Sequence, residues 1–361
     1  MKKLVIVYYR VYDIDRTELT IGGIQTYIHG LVLGLQTRYD VSLVQIGPTR
    51  TERIDNITIL QFSKYKTIIK YLNRTLSPED IIIWGTDNLA SKLECKAKSV
   101  SIQHGIAFDY FPRENRTAHL LDKLRLQSVY RYFQQRNSLK WIDKADNIVC
   151  VDYNYLNWYR TKRLDSEKLT VIPNFAPAVN KRDRDNRGQL KVLFARRFVK
   201  KRGTEILVDL CRLCYENNLS IEFTFSGEGP EELSLKERLQ SFKNISFTKF
   251  NPSGKADIFS SHDISIIPTI ASEGTSFSLL ESLSYGCVVL ASNVGGMTNL
   301  IINEYNGFLC NPTAESFYEV LVKLDKNRPL LNRVKNRGYE VAEVLDANRW
   351  IKEWLKLLEK I

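Results

Sequence analysis

Short apolar runs recur along the chain, and a polar turn and a segment with helical periodicity follow most of them. They lie at residues 4–8, 41–46, 57–62, 81–84, 100–103, 147–151 and 169–172, and again at 191–195, 221–226, 245–248, 264–267 and 308–310. Runs of four to seven residues that alternate with helical segments are typical of parallel sheets. The pattern predicts the α/β class.

The length of 361 residues exceeds what one hydrophobic core usually supports, so we expect two α/β domains. The sequence Pro173-Asn174-Phe175-Ala176-Pro177, followed by a charged run at 181–187, is typical of an interdomain linker. We therefore predict an N-terminal Rossmann-like domain at 1–174, a C-terminal one at 175–345, and a last helix at 346–361.

No run approaches the 18 apolar residues of a membrane span, and Met1-Lys2-Lys3 leads directly into an apolar strand and not into a signal sequence. We therefore expect a protein that neither spans a membrane nor is secreted. Six scattered cysteines favour reduced, buried thiols in the cytoplasm. Cys211 and Cys214 form a C-x-x-C inside an amphipathic run with no second pair at zinc spacing, so we expect packing and not metal binding.

Residues 264–296 contain two glutamates close to a predicted strand-to-helix turn. The strand-like run 264–267 ends at Pro268, helical periodicity covers 276–285, and Glu273 and Glu281 stand eight residues apart across the turn. A helix start beyond a parallel strand offers free N–H groups to an anion. We expect these donors at Gly274, Thr275, Ser276 and Phe277.

A carboxylate one turn into this helix would repel phosphate, so Glu281 suits vicinal hydroxyls such as those of a ribose. Glu273 would then face whatever group lies beyond a diphosphate. The alternative is that both glutamates are helix-start carboxylates placed by the macrodipole.

The stretch resembles the signature of the retaining glycosyltransferases of family 4, an E-x7-E motif between a strand ending in Pro-Ser/Thr and a Gly-rich segment. The matching residues are Pro268, Thr269, Glu273, Glu281, Gly286, Val288, Val289, Ala291, Ser292, Gly295 and Gly296. The resemblance implies the GT-B architecture, two Rossmann-like βαβ domains with parallel sheets facing across a cleft, of which the first binds the acceptor and the second the nucleotide sugar. It also implies that the last helix, 346–361, packs back on the N-terminal domain, with Trp350 and Trp354 as packing residues. It also implies transfer of a hexose from a nucleoside diphosphate sugar, here expected to be a UDP-sugar, with retention and with no metal or other cofactor.

The segment Arg196 to Gly203 resembles the family's G-R-L-x-x-x-K-G. Arg197 takes the arginine position and Arg202 the lysine position, so the resemblance implies that both contact the diphosphate in a catalytic role. Arg196 stands where the family has glycine, and we expect its side chain, like those of Lys200 and Lys201, to be solvated.

Three further glycines and one histidine gain a role through the resemblance. Gly227, in a G-x-G-P-like turn, is expected beside the nucleotide base, and Gly22 and Gly23, at a strand-to-helix loop, near the acceptor and the donor phosphate. His104, at the end of the strand 100–103, is expected close to the donor sugar. By itself a lone histidine is more often a packed or surface residue.

The net charge of +11 is concentrated between residues 110 and 202, which hold 22 Lys/Arg against 9 Asp/Glu. Within this belt residues 108–144 interleave basic and apolar side chains, which predicts one long basic amphipathic helix. Such a helix either packs on a core with a solvated face or binds an anionic membrane surface. Nucleic acid is disfavoured because no RNA- or DNA-binding motif accompanies the charge.

We therefore expect a glycosyltransferase at the inner face of the cytoplasmic membrane, with a lipid-linked or polysaccharide acceptor of a bacterial surface glycan. The alternatives are a catalytically silent binding protein with the same fold and a synthase that uses a soluble sugar acceptor. Two Asp-x-Asp matches, Asp13 to Asp15 and Asp183 to Asp185, lie in charged loops and are expected not to bind metal.

Overall fold

A computed structural model describes residues 1–112, 116–181, 188–249 and 254–361. The chain forms two compact units. Unit 1 comprises Met1–Pro173 with Asn348–Ile361, and unit 2 comprises Asn174–Ala347. Within the described ranges no helix has both the length and the apolar character that crossing a bilayer requires.

Unit 1 is built on an eight-stranded sheet. In chain order its strands are β1 (Lys3–Tyr8), β4 (Asp40–Ile46), β5 (Arg50–Ile54), β6 (Ile57–Phe62), β7 (Ile81–Trp84), β8 (Lys98–Gln103), β9 (Asn147–Cys150) and β10 (Leu169–Val171), and a separate hairpin pairs β2 (Tyr12–Asp13) with β3 (Glu18–Leu19). The spatial order is β10-β9-β8-β7-β1-β4-β6-β5. All pairs are parallel except β5 with β6. The central strands β1 and β7 are almost continuously apolar because helices cover both faces of a parallel sheet.

The helices of unit 1 follow its strands. They are α1 (Gly23–Leu35), α2 (Tyr65–Thr75), α3 (Arg116–Lys123), α4 (Gln127–Ile142) and α5 (Tyr153–Arg160). The final helix, α12 (Ala347–Lys360), packs on α1: the indole Nε1 of Trp354 donates to the hydroxyl of Tyr27 at 3.0 Å, and Trp350 meets the same ring edge-on. The two tryptophans of α12 are therefore packing residues.

The predicted single helix over 108–144 is wrong. The structure has α3 and α4 as separate helices, and Arg125 between them has a positive φ of 55°. That left-handed conformation ends one helix and redirects the chain into the next, because a right-handed helix cannot pass through it. Arg113 lies outside the described residues.

Unit 2 is built on a six-stranded, wholly parallel sheet. Its strands are β11 (Leu190–Ala195), β12 (Ile221–Ser226), β13 (Ile245–Thr248), β14 (Ile264–Ile267), β15 (Val288–Ser292) and β16 (Phe308–Cys310), in the order β13-β12-β11-β14-β15-β16. This is the strand order of the doubly wound dinucleotide-binding fold, and it reverses direction between β11 and β14. The predicted fold class, two Rossmann-like units with parallel sheets, is confirmed.

Helices cover both faces of the second sheet. They are α6 (Thr204–Glu216), α7 (Glu232–Leu239), α8 (Lys255–Ser260), α9 (Phe277–Ser284), α10 (Ala314–Lys326) and α11 (Arg328–Val344). The main core lies under α6 and α10, and Cys211 and Cys214 are buried in it as free thiols. The predicted packing role of this C-x-x-C agrees with that position.

Candidate active site

The crevice of unit 2 lies where its strand order reverses. β11 and β14 are hydrogen-bonded neighbours in parallel, with Val192 opposite Ile264 and Leu193 opposite Ser265. The loops that leave these two strands therefore start side by side at the carboxyl edge of the sheet, where ligands of open α/β sheets bind. The first loop carries Arg196 and Arg202, and the second carries Glu273.

A closed hydrogen-bond network surrounds the carboxylate of Glu273. The guanidinium of Arg196 donates to Glu273 Oε2 at 2.7 Å and to the hydroxyl of Thr269 at 2.7 Å, and that hydroxyl donates to Glu273 Oε1 at 2.8 Å. Arg202 also donates to Oε2. Both oxygens of the carboxylate are thus engaged, and two cations share one of them.

Two opposing effects decide the charge of Glu273. Burial by itself raises the pKa of the carboxyl, but the charges of Arg196 and Arg202 and the hydrogen bonds outweigh it and bring the pKa from 4.5 down to about 2. The side chains of Arg196 and Arg202 are 7% and 24% exposed. Glu273 is therefore a fixed anion, and the arginine nearer to solvent is Arg202.

The structure corrects the expectation for Arg196. Its side chain is buried on Glu273 and is not solvated. Arg197, which the resemblance places on the diphosphate, has an exposed side chain. Its contact with a phosphate remains a prediction.

Two glycines contact the backbone of the loop that carries Glu273. Gly295 has a φ of 52°, and a β-carbon there would lie 2.6 Å from the carbonyl oxygen of Glu273. The amide of Gly296 donates to that same oxygen at 2.7 Å. A side chain at position 295 would push the loop out of place, which explains why this turn uses glycine.

The first turn of α9 follows Glu273 directly. Ser276 is its N-cap and makes no side-chain capping bond. The hydroxyl of Thr275 accepts from the amide of Asn174 at 2.9 Å, and the ring of Phe277 packs against that of Phe175. Gly274, Thr275 and Ser276 are buried, and so their backbone, rather than mobile side chains, defines this edge of the crevice.

Glu281 lies one turn further into α9 and is also paired. Its Oε1 accepts from Nζ of Lys255, at the start of α8, at 2.6 Å. Burial raises the pKa of Glu281, although Lys255 and, more weakly, Arg196 act in the opposite direction. Nothing in the sequence indicated Lys255, because the contact joins residues that are 26 positions apart.

Gly227 lies next to the same loop. Its amide donates to the carbonyl oxygen of Thr248 at 3.1 Å, and its α-carbon lies against the backbone of Arg196. One edge of unit 2 therefore brings together Arg196, Arg202, Glu273, Glu281 and the turn 274–277. Gly227 lies beside this edge. The expected contact of Gly227 with a nucleotide base remains a prediction.

The predicted residues of unit 1 are Gly22, Gly23 and His104, and they lie in segments that follow strands of its own sheet. Gly22 caps α1, which begins at Gly23. His104 follows β8, and its Nε2 lies 2.8 Å from the carbonyl oxygen of Gly85, which follows β7. Since a carbonyl only accepts, Nε2 carries the proton in this contact.

The surroundings of His104 keep it neutral. Burial lowers its pKa from 6.5 to about 4, with the Gly85 carbonyl acting weakly in the other direction. Its ring meets that of Tyr27 edge-on, with centroids 5.6 Å apart. Tyr27 belongs to α1, so the helix opened by Gly22 and Gly23 and the strand end with His104 are linked through one aromatic ring.

Within the described ranges no group of three or more His, Cys, Asp or Glu side chains is arranged to hold a metal ion. In the first Asp-x-Asp match, Asp13 pairs with Arg10 and Asp15 pairs with Arg50, each at 2.8 Å. The second match, Asp183 to Asp185, lies outside the described residues.

One known protein family matches most of unit 2. The family model described as "Glycosyl transferases group 1" matches residues 178–341. Unit 2 carries a glycosyl transferases group 1 domain. The protein is therefore an enzyme of the transferase class, and the resemblance found in the sequence is confirmed at this level.

Individual relatives of this glycosyltransferase are distant. The UDP-Gal:alpha-D-GlcNAc-diphosphoundecaprenol alpha-1,3-galactosyltransferase of Escherichia coli is 24% identical over 287 residues, which cover 72% of this chain and 69% of the relative. Among solved structures, Anabaena HepE in complex with UDP and glucose has a TM-score of 0.75 at 12% identity, with all of both chains covered. Sucrose-phosphate synthase from Thermosynechococcus elongatus has a TM-score of 0.77 at 14% identity, over 100% of this chain and 99% of the other. At such identities the structural likeness establishes the fold.

Proposed function

We propose that this glycosyltransferase is a retaining enzyme of family 4 that moves a hexose from a UDP-sugar to a hydroxyl of a lipid-linked or polysaccharide acceptor. One observation carries the proposal: two arginines converge on Glu273 beside the uncapped start of α9, where the strand order of unit 2 reverses. A crevice with surplus positive charge at the start of a helix suits a diphosphate.

The parts of the donor correspond to parts of this crevice. The diphosphate would accept hydrogen bonds from Arg202 and from the amides of residues 274–277, and the ribose diol would donate to Glu281. Uracil is the favoured base, because the E. coli relative is named for UDP-Gal and HepE is solved with UDP. Glu273 would accept from hydroxyls of the hexose once the diphosphate draws Arg202 away.

The reaction breaks the bond between the anomeric carbon and the UDP oxygen and forms a bond from that carbon to the acceptor oxygen. In a same-face substitution the acceptor proton passes to the leaving phosphate. Negative charge grows on UDP as the bond breaks, so donors fixed in advance lower the barrier. Arg202 suits this task because it is the more exposed of the two arginines on Glu273, and Arg196 would keep that carboxylate in place.

Nucleotide binding tests the donor half of the proposal. UDP, GDP, ADP and CMP are each titrated into wild type and into Glu281→Ala, with Glu222→Ala as a matched control, since Glu222 pairs with Lys191 at an exposed position of unit 2. A ligand at 100 times its Kd stabilises the folded protein by about 2.7 kcal/mol. We expect this thermal shift for UDP in wild type and in the control but not in Glu281→Ala. Equal shifts in all three proteins would contradict the proposed ribose contact.

For the acceptor half, we propose that unit 1 docks on an anionic membrane surface through α3 and α4. The E. coli relative is named for a diphosphoundecaprenol acceptor, which is a membrane lipid. On α4 the residues Val129, Tyr132, Phe133, Arg136 and Lys140 share one exposed face. That face is apolar at the N-terminal end of the helix and cationic at the C-terminal end.

The turn between the two helices extends the apolar part of this face. Leu120, Leu124 and Leu126 are exposed there, and Lys123 and Arg125 lie among them. Tyr132 and Phe133 are 59% and 53% exposed, which is unusual for adjacent aromatic residues in a solvated helix. Apolar side chains that enter the lipid and flanking cations near the headgroups, each worth about 1 kcal/mol, together suit such a surface.

Vesicle co-sedimentation tests the docking. The probes are phosphatidylcholine vesicles with and without phosphatidylglycerol, at low and high salt. We expect binding only with the anionic lipid, weaker binding at high salt, and loss of binding for Tyr132→Ser with Phe133→Ser. The control is Leu233→Ser, which removes an equally exposed apolar side chain from unit 2. Turnover of a soluble sugar acceptor without any vesicle binding would instead select a synthase.

A further inference from the structure

Lys255, the first residue of α8, contacts a carboxylate of the candidate nucleotide site. Its ammonium donates to Oε1 of Glu281 at 2.6 Å, and the two side chains are 25% and 9% exposed. The residue opens α8 and reaches a carboxylate buried in α9, so the pair also joins two helices. The sequence motif includes Glu281 but not this partner.

Few other charges act on Glu281. Arg196, from the loop after β11, lies further away and is already engaged with Glu273 and Thr269. Tyr285, one turn along α9, is a neutral group whose own pKa is raised mainly by burial and in addition by the charge of Glu281. Lys255 is thus a cation in direct contact with a carboxylate whose pKa burial raises, and it reduces that rise without abolishing it.

The ionisation of Glu281 matters for a diol. A carboxylate accepts a hydrogen bond from each of two vicinal hydroxyls. In a protonated carboxyl one of the two oxygens carries the proton and is a donor, so its capacity to accept is reduced. A lysine on Oε1 also fixes the rotation of the carboxylate, because one of its lone pairs is taken. What remains for the ligand is Oε2 and the second lone pair of Oε1.

We propose that Lys255 is a positioning residue of the nucleotide site, which orients the carboxylate of Glu281 and keeps it ionised to a lower pH, so that it binds the ribose diol over a wider pH range. The inference rests on the proposed nucleotide-sugar function. It assigns Lys255 no contact with the reacting atoms.

The affinity for UDP as a function of pH tests the proposal. Calorimetric titration with UDP from pH 5.5 to 8.5 gives the Kd of each variant relative to that of wild type, so that protonation of the UDP phosphate, which is common to both, cancels. In Lys255→Met the pKa of Glu281 rises because the adjacent cation is lost, so affinity relative to wild type should fall as pH falls, by up to about tenfold per pH unit below the pKa of the variant. Lys255→Arg should restore the wild-type profile, and Lys236→Met, which removes an ion pair with Glu232 on α7, should match wild type.

Two results would overturn the inference. One is an unchanged Kd for Lys255→Met at every pH, and the other is a loss that is equal at every pH and is not rescued by arginine. If Lys255→Met does not fold, Lys255→Gln replaces it with a side chain that still donates a hydrogen bond but carries no charge, and it should show the same pH dependence.

The titration of Glu281 in the ligand-free protein separates this inference from the proposed function. Carbon-13 NMR of the glutamate carboxyls should place the Glu281 pKa higher in Lys255→Met than in wild type. If that difference is found but wild type binds no nucleotide, the proposed function fails and the effect of Lys255 on the carboxylate stands. If wild type binds UDP and the pKa does not move, only the inference about Lys255 fails.

Discussion

The charge on Glu273 should appear as a pH-dependent part of the stability of the protein. In the folded state its pKa is about 2, against 4.5 for an ordinary glutamate. The carboxyl binds its proton more weakly when folded than when unfolded, so ionised Glu273 stabilises the folded state at pH values above 4.5. That stabilisation is lost as pH falls towards 2.

The size of the effect follows from the two pKa values. One pH unit corresponds to about 1.36 kcal/mol, so the depression of the pKa from 4.5 to about 2 contributes about 3 kcal/mol at pH 7 and about 1 kcal/mol at pH 3. The Glu273 side chain is 13% exposed, so solvent screening reduces these figures little. The loss between pH 7 and pH 3 is therefore about 2 kcal/mol.

Urea unfolding of wild type and Glu273→Gln measures this loss. The glutamine keeps the shape but not the charge, so the difference in unfolding free energy between the two proteins should shrink by about 2 kcal/mol from pH 7 to pH 3. Far-UV circular dichroism is the readout, because all five tryptophans lie in unit 1 and their fluorescence would not report unit 2.

The control is Glu304→Gln, which removes an exposed ion pair with Lys323 and should show no such trend. A difference between wild type and Glu273→Gln that stays constant from pH 7 to pH 3 would refute the reasoning. It would mean that the two arginines do not hold the carboxylate ionised.

Three further predictions concern single contacts. Arg202→Ala should lower kcat with a UDP-sugar by roughly 10²–10³, because it removes a donor aimed at the leaving diphosphate. If Arg202 only aids substrate binding, steady-state kinetics would instead show a higher KM with an unchanged kcat. Gly295→Ala should reduce turnover strongly, since its β-carbon would lie 2.6 Å from a loop carbonyl, whereas Gly188→Ala, with nothing within 4 Å, should not. Tyr27→Phe should cost about 1 kcal/mol of stability, because it removes a buried hydroxyl and keeps the ring, and a double-mutant cycle with Trp354→Phe should give a coupling energy of similar size if the 3.0 Å hydrogen bond is the cause.

Local pattern was sufficient for most strands. The apolar runs at 81–84 and 264–267 coincide with β7 and β14, which are buried at every residue, since a strand covered on both faces favours apolar residues throughout. The run at 57–62 coincides with β6, whose residues alternate between buried and partly exposed. The pattern failed at β5, which reads Arg-Thr-Glu-Arg-Ile and forms an antiparallel edge. An edge strand is partly solvated and therefore tolerates the charged residues that mark a loop elsewhere.

The helix predicted over 108–144 failed for a different reason. Periodicity reports which side chains could share a face, but it does not detect a single residue in a left-handed conformation. Arg125 has no glycine or proline beside it, and its positive φ separates α3 from α4. The apolar residues that suggested a buried face are instead exposed at Tyr132 and Phe133.

The sequence by itself determined the α/β class, the motif that marks unit 2 as a glycosyltransferase domain, and the position of Glu273 and Glu281 around the start of α9. Only the tertiary structure decided what each glutamate contacts: Arg196 and Arg202 at Glu273, and Lys255 at Glu281. Secondary structure depends on neighbours along the chain, whose spacing the sequence records. An ion pair depends on which side chains converge when separate strands and helices pack, and residues 26 or 77 positions apart leave no record of that in their order.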